Sequence, residues 1–222
     1  MATLAMFERA PDEVWSWYLW RLGLCVRCVP NQAHLAIAEL DQRAGDRMGL
    51  VTQNVDGLHQ RAGSSDARTF AIHGDIRKMR CAGDRCGRRL TEMPALEPHG
   101  RGAPLSARER EVLLCASCGG WMRPHVLWFD EYYEEAYYRS ESALRLSANA
   151  SILIVVGTTG STSLPMQIGM HCVRRGIPVI DVNVEANPFA EMAAHGGMVV
   201  RQPASEAVPA IVSSLFAHFA LN

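Results

Sequence analysis

Four cysteines in two close pairs constrain this chain more than any other feature. Four residues separate Cys81 from Cys86, two separate Cys115 from Cys118, and 28 residues lie between the pairs. Each pair is spaced to place two thiolates on one ion, and together they make a closed tetrahedral structural zinc site. The surrounding segment is rich in Gly, Pro and Arg and poor in apolar periodicity, so it needs such a staple. Unrelated thiols are the bland alternative. A closed four-cysteine site keeps no open coordination position, so its zinc holds structure and does no chemistry. Cys25 and Cys28 form a rival pair after a helix. They read as packing at a helix end, against a redox or second metal site. Cys172 falls inside a helical pattern and reads as core.

Composition narrows the class. The chain has 222 residues, enough for one large domain or one domain with a small appendage. Its 22 basic and 23 acidic residues leave a net charge of -1, so no bulk field favours nucleic acid or an anionic membrane. No apolar run approaches the roughly 18 residues that span a bilayer. The N-terminal stretch lacks the basic and apolar regions of a secretory signal. A cytoplasmic protein is expected, and its seven cysteines then point to metal or buried thiols rather than disulfides.

The periodicity outlines the fold. Residues 1–30 read as helical and aromatic, with Pro11-Asp12-Glu13 as a helix start. Pro30-Asn31 breaks that segment, and Gln32 to Arg43 is a second helix with Ala33, Leu35, Ile37, Ala38 and Leu40 on its apolar face. Gly49 to Thr52 is a short buried strand. After the loop-rich module from Cys81 to Cys118, regular patterns return. A helix at 142–149 leads to strand 152–156, and a helix at about 164–175 leads to strand 178–182. A last helix runs from about Ala207 to Phe219. Helices alternating with short apolar strands argue for an α/β fold with a parallel sheet covered on both faces. The expected division is a helical part over 1–30, a zinc module over 81–125, and a Rossmann-like domain over 31–80 and 126–222. Three strands end in polar or glycine-rich loops: Gln53-Asn54-Val55-Asp56, Gly157-Thr158-Thr159 and Asn183-Val184-Glu185. Ligands of such sheets bind beyond the carboxyl ends of the strands, so one shared nucleotide site is expected there.

Leu50-Val51-Thr52-Gln53-Asn54-Val55-Asp56-Gly57-Leu58-His59 is followed by Ile72-His73-Gly74 and the four cysteines. Arg123-Pro124-His125-Val126-Leu127-Trp128-Phe129-Asp130-Glu131 and Gly157-Thr158-Thr159 come next. The ordered set, over nearly the whole chain, resembles the sirtuin (Sir2) family of NAD-dependent protein deacylases. The resemblance implies a large Rossmann-like domain beside a small helical and zinc-binding module. It also implies a reaction in which the acyl oxygen of a modified lysine attacks NAD's nicotinamide ribose and nicotinamide leaves. A histidine then acts as base on a ribose hydroxyl, and the products are free lysine and O-acyl-ADP-ribose. Acylated-lysine proteins or peptides and NAD are the implied partners, with structural zinc.

His73 matches the family's base, and an imidazole suits that role at neutral pH. Without the resemblance, a His before Gly reads as a turn residue. Asn54 and Asp56 match residues that orient the nicotinamide ribose and carboxamide, and Gln53 matches a ribose contact. Their bland reading is a cap on the following helix. Gly157, Thr158 and Thr159 match the family's Gly-Thr-Ser loop, with Thr159 keeping the hydroxyl. Asn183 and Glu185 match the adenosine-ribose loop, and Ala204 a residue beside the adenine. Leu127 and Phe129 match the strand that pairs with substrate peptide and walls the acyl-lysine tunnel, where they otherwise read as core. Asp130 stands where the family commonly has Gly, which alters the groove there.

Val14 to Arg21 is similar to the segment of the subclass that removes succinyl and malonyl groups. Tyr18 and Arg21, three apart, share one helix face, and a guanidinium with a phenol can hold an acyl carboxylate. The alternative is a surface Arg beside an aromatic core. The family's first strand and its Gly-Ala-Gly-x-Ser phosphate loop have no counterpart in this chain. An incomplete sequence with Met1 internal is therefore expected. The rival is a truncated, catalytically weak homologue that binds ADP-ribose-like ligands or partners. A third class, a zinc-ribbon nucleic-acid binder, is suggested by Arg77, Lys78, Arg80, Arg85, Arg88 and Arg89. The neutral whole chain and the nucleotide-like loops argue against it.

Overall fold

The computed structural model describes residues 1–83, 86, 90–97 and 99–219. By contact, the chain divides into two compact units. One takes Met1–Val29, Thr52–Gly57 and Ala71–Tyr138, and the other takes Pro30–Val51, Leu58–Phe70 and Arg139–Asn222. The sequence outline assigned 52–57, 71–80 and 126–138 to the Rossmann-like part. By contact they fall with the helical segment and the zinc module.

In chain order the elements begin with helices α1 (Leu4–Arg9), α2 (Pro11–Arg27) and α3 (Gln32–Ala44). Strand β1 (Leu50–Thr52), helix α4 (Leu58–Ala62) and strand β2 (Thr69–Ala71) follow. Then come β3 (Gly74–Cys81), β4 (Leu90–Glu92), α5 (Ala107–Val112), β5 (Met122–Val126) and α6 (Glu135–Tyr138). The last stretch holds α7 (Ser140–Asn149), β6 (Leu153–Val156), α8 (Ser163–Arg174), β7 (Val179–Val182), α9 (Pro188–Ala193), β8 (Met198–Val200) and α10 (Ala204–Phe219). Among the described residues, no helix is long and apolar enough to cross a membrane.

The second unit is a parallel α/β sandwich. Its sheet runs β6-β7-β8, with Leu153 beside Val179 and Ile180 beside Met198. Successive residues of a strand face opposite sides. Val156, Ile180 and Val182 meet Ala33, Ala36 and Leu40 of α3 and Val208 and Val212 of α10 on one face. Leu153, Val155 and Val179 meet Phe189 and Met192 of α9 and Met166 and Val173 of α8 on the other. This is the Rossmann-like arrangement that the alternating pattern predicts. Asn31 starts α3 with a capping box, its side chain accepting from the Ala33 and His34 amides. Strand β1 instead pairs with β2 in a separate two-stranded sheet, so the described parallel sheet holds three strands. The last helix begins at Ala204, ahead of the predicted Ala207, with Pro209 inside it.

The first unit is built on an antiparallel sheet, β4-β3-β5. Helix α2 has Pro11 at its first turn, where a missing N–H costs nothing, followed by Asp12 and Glu13 at the positive helix end. Val14, Trp15, Tyr18 and Leu19 are buried with Ile76 and Met79 of β3 and Met122 and Val126 of β5. The Trp15 indole N–H donates to the Met122 carbonyl at 2.8 Å, so the buried ring leaves no orphan donor.

No strand is predicted at 74–81 or 122–126, because both carry buried charge that tertiary partners satisfy. Arg80 is 2% exposed and donates to His125 Nδ1 and the Tyr138 hydroxyl, both at 3.2 Å. Burial first, then Arg80, pushes His125 down to about 4, against 6.5 for an exposed imidazole. The folded chain therefore binds fewer protons than the unfolded chain between those two values. Stability is expected to rise with pH across that window and to be lost as pH falls from about 6.5 to 4. The loss is on the order of 3 kcal/mol. Urea midpoints at pH 4.5 and pH 7 measure it. His125→Asn should flatten the slope, and an unchanged slope would remove His125 as its cause.

Candidate functional site

In the first unit, the loop after β1 is tied to strand β3. The Ile76 amide donates to the Val55 carbonyl at 2.8 Å, and the Asn54 amide donates to Thr52 Oγ1 at 3.1 Å. Gly57, at φ +70°, closes the loop. A Cβ there would lie 2.2 Å from the Arg77 guanidinium carbon, so only glycine allows the approach. Asp75 holds that guanidinium in a fork of 3.0 and 2.6 Å. The loop that carries Gln53, Asn54 and Asp56 is thus braced by Arg77, which the sequence offered only as part of a basic cluster. Asn54 is exposed, and Gln53 and Asp56 are half-buried.

His73 precedes Gly74, which sits at φ +89° with the His125 carbonyl oxygen 2.1 Å from where a Cβ would be. This close crossing of β3 over β5 fixes the histidine backbone, and the His73 carbonyl accepts from the Leu127 amide at 2.9 Å. Burial lowers the His73 pKa, and a hydrogen bond to the Gln53 carbonyl opposes it. The imidazole is therefore largely neutral at pH 7. Nε2 lies 3.0 Å from the Tyr133 hydroxyl. Tyr133 was missed, having no motif to announce it.

Beyond β5 the chain is clamped. Arg123 donates both guanidinium nitrogens to Glu131, at 2.5 and 2.7 Å, and the Trp128 amide donates to the same carboxylate at 2.9 Å. Burial raises the Glu131 pKa, but Arg123 outweighs it and holds the carboxyl below its usual range. Leu127 is half-buried and Phe129 is 89% exposed, so Phe129 is not the core residue that its bland reading required. Asp130 accepts from the Leu4 and Ala5 amides at 2.7 and 3.1 Å and so caps α1. The residue that departs from the family's glycine thereby binds the post-β5 segment to the first helix.

Tyr18 is 4% exposed, and its hydroxyl accepts from the Trp128 indole N–H at 2.8 Å. Burial pushes its pKa up to about 12, so the phenol stays neutral and keeps one hydrogen to donate. Arg21 is exposed, with its guanidinium 4.8 Å from the Trp17 ring centroid.

In the second unit, the loops after β6 and β7 are joined. The Asn183 side-chain amide donates to the Thr158 carbonyl at 2.9 Å, and the Glu185 amide donates to Asn183 Oδ1 at 3.3 Å. Thr159 and Ser161 share a hydroxyl hydrogen bond of 2.6 Å. Gly157 takes φ +62°, and its amide donates to the Val182 carbonyl at 2.9 Å. Ala204 is the first residue of α10 and packs against the core of this unit. Asp181, fully buried under the same loops, is held by Arg201 at 3.0 Å and by the Asn187 amide. Within this unit Thr158, Thr159, Asn183 and Glu185 converge. Within the first unit His73, Gln53 and Leu127 do.

The four cysteines also converge. Their sulfur atoms lie within 4.8 Å of one another, with Cys81 to Cys118 at 3.5 Å and Cys86 to Cys115 at 3.4 Å. Zinc–sulfur bonds of about 2.3 Å imply sulfur–sulfur edges near ~3.8 Å, so a zinc ion fits the set. Backbone N–H groups of Ser117 and Cys118 hold the Cys115 pKa down to about 6, while the neighbouring thiols push Cys86 up to about 12. A dication resolves that mutual repulsion. Cys25 packs half-buried on the first unit's core at the end of α2, and Cys28 is exposed. Cys172 is fully buried.

The basic-module reading loses its described residues. Arg80 is buried, Arg77 is paired with Asp75, and Lys78 lies 3.7 Å from Glu92. Arg85, Arg88 and Arg89 lie outside the described residues.

Comparison with known proteins accounts for the arrangement. The sequence model of the Sir2 family matches residues 1–163. An NAD-dependent protein deacylase of Mycobacterium tuberculosis is 36% identical over 208 residues, covering 93% of this chain and 80% of the relative. One from Thermus thermophilus is 35% identical over 195 residues, covering 86% of this chain and 69% of the relative. Among solved structures, a Sir2 homolog–NAD complex superposes with a TM-score of 0.77 at 31% identity, over 100% of this chain and 77% of that one. A mutant Sir2 homologue bound to ADP-ribose gives 0.81 at 27% identity, over 100% and 81%.

Proposed function

The chain belongs to the Sir2 family, and on that premise we propose that it is an NAD-dependent protein-lysine deacylase. Acylated-lysine peptides and NAD are its substrates. NAD supplies the reactive ribose carbon and nicotinamide as the leaving group. In this reading His73 is the general base, accepting a ribose hydroxyl proton at Nε2. Asn54 and Asp56 orient the nicotinamide ribose and carboxamide, and Gln53 contacts that ribose. Gly157, Thr158 and Thr159, with Asn183, Glu185 and Ala204, take the adenosine side. Leu127 and Phe129 receive the peptide. The observation that carries the reading is the His73 ring, held neutral by burial and hydrogen-bonded to the Gln53 backbone of the same loop as Asn54 and Asp56. Cys81, Cys86, Cys115 and Cys118 hold zinc as structure. Four cysteines gathered at metal spacing suit a reducing compartment, and we place the protein in the cytoplasm on that chemistry.

The test is incubation of the protein with NAD and an acetyl- or succinyl-lysine peptide. Nicotinamide release matched one for one by O-acyl-ADP-ribose is expected. Binding of NAD without turnover of any acylated peptide would replace this reading with that of a binding remnant.

Tyr18 and Arg21 are assigned to acidic acyl groups. Trp128 leaves the Tyr18 hydrogen able to donate, and Arg21 stands exposed three residues on along the same helix. A charge-assisted pair is worth about 1.5–3 kcal/mol. Arg21→Met should therefore lower desuccinylation roughly 10- to 100-fold while deacetylation changes little. An equal loss of both activities would refute the assignment.

A further inference from the structure

Tyr133 sits against the proposed base. Its hydroxyl is 3.0 Å from His73 Nε2, and the two rings stack at 25° with centroids 6.0 Å apart. In the deacylase reading the base takes its proton at Nε2, so that atom presents a lone pair and a neutral phenol donates to it. The phenol is aimed from both sides. Glu131, two residues earlier, is anchored by Arg123 and by the Trp128 amide. Glu134, the next residue, starts the turn of α6 by accepting from the Tyr137 and Tyr138 amides. The chain thus places a hydroxyl on the one atom through which the base takes its proton.

We infer that Tyr133 is a placeholder for the reacting hydroxyl, holding His73 Nε2 in the free protein and ceding it when the ribose arrives. The inference rests on the deacylase reading. One lone pair serves one donor at a time, so the tyrosine and the ribose hydroxyl compete. Tyr133 acts through His73 and is a positioning residue. Its cost falls on binding, because the internal hydrogen bond must break before the ribose hydroxyl can take its place.

The experiment is calorimetric titration of the full chain with ADP-ribose, in a double-mutant cycle. Tyr133→Phe keeps the stacked ring and removes the hydroxyl. It should bind ADP-ribose about fivefold tighter than the parent, the worth of one neutral internal hydrogen bond over its hydrated alternative. In a His73→Ala background the same substitution should change nothing, because the competed atom is gone. Equal tightening in both backgrounds would make Tyr133 a packing residue and overturn the inference. Weaker binding by Tyr133→Phe would do the same, since the hydroxyl would then serve the ligand. If the parent protein binds no ADP-ribose, the deacylase reading itself fails and takes the placeholder with it.

Discussion

Cys115→Ser is expected to empty the zinc site and unfold the first unit around it. The parent protein should carry one zinc per chain by metal analysis, and the variant close to none. Cys115 is the thiolate best prepared for the ion, since the Ser117 and Cys118 amides already stabilise its charge. Structural zinc contributes about 10 kcal/mol or more in small modules, comparable to the whole stability of an ordinary domain. The effect should reach His73. Strand β3 begins at Gly74, the residue after the proposed base, and ends at Cys81, one of the four proposed zinc ligands. Loss of the ion frees one end of that strand, so deacylation should fall with the metal content. Cys172→Ser, at a buried thiol of the second unit, should keep the zinc. A Cys115→Ser protein with full zinc and unchanged melting would exclude this four-cysteine site.

His73→Ala should lower deacylation by about 10²- to 10⁴-fold, the usual worth of a positioned base. Exchange of labelled nicotinamide into NAD should persist, because the base is proposed to act only after nicotinamide has left. Loss of both reactions together would reassign His73 to binding. The pH profile carries a second signature. Burial lowers the His73 pKa, and the base works only when neutral. The acidic limb of kcat/KM should therefore fall below pH 6.5, with activity lost as pH drops through it. A limb above 6.5 would contradict this environment for the ring.

The alternating helices and strands of 142–182 were legible because one sheet buries both faces of β6 and β7 in apolar side chains. Helix α2 was legible from Pro11 and its acids, and α3 from Asn31 and its apolar stripe. Strands β3 and β5 were not legible. Asp75, Arg80, Arg123 and His125 are buried there, so their sequence reads as surface. Their charges are admissible inside only because partners meet them: Arg77 for Asp75, Glu131 for Arg123 and, from far along the chain, Tyr138 for Arg80. The same limit hid Tyr133, which no motif announced, and the roles of Arg77 and Asp130 as brace and cap.

The sequence by itself determined which residues can do chemistry here: four thiols at metal spacing, one histidine before a glycine, and amides and hydroxyls at strand ends. Those are properties of side-chain type and local spacing, which the chain carries before it folds. Tertiary structure alone decided how the groups are used. It joined His73 to the Gln53 backbone, set Tyr133 against Nε2, and lent the Tyr18 hydroxyl an indole partner. Each of these joins residues far apart along the chain. Hydrogen-bond direction and burial depend on distance and angle in space, which no residue-to-residue spacing along the chain encodes.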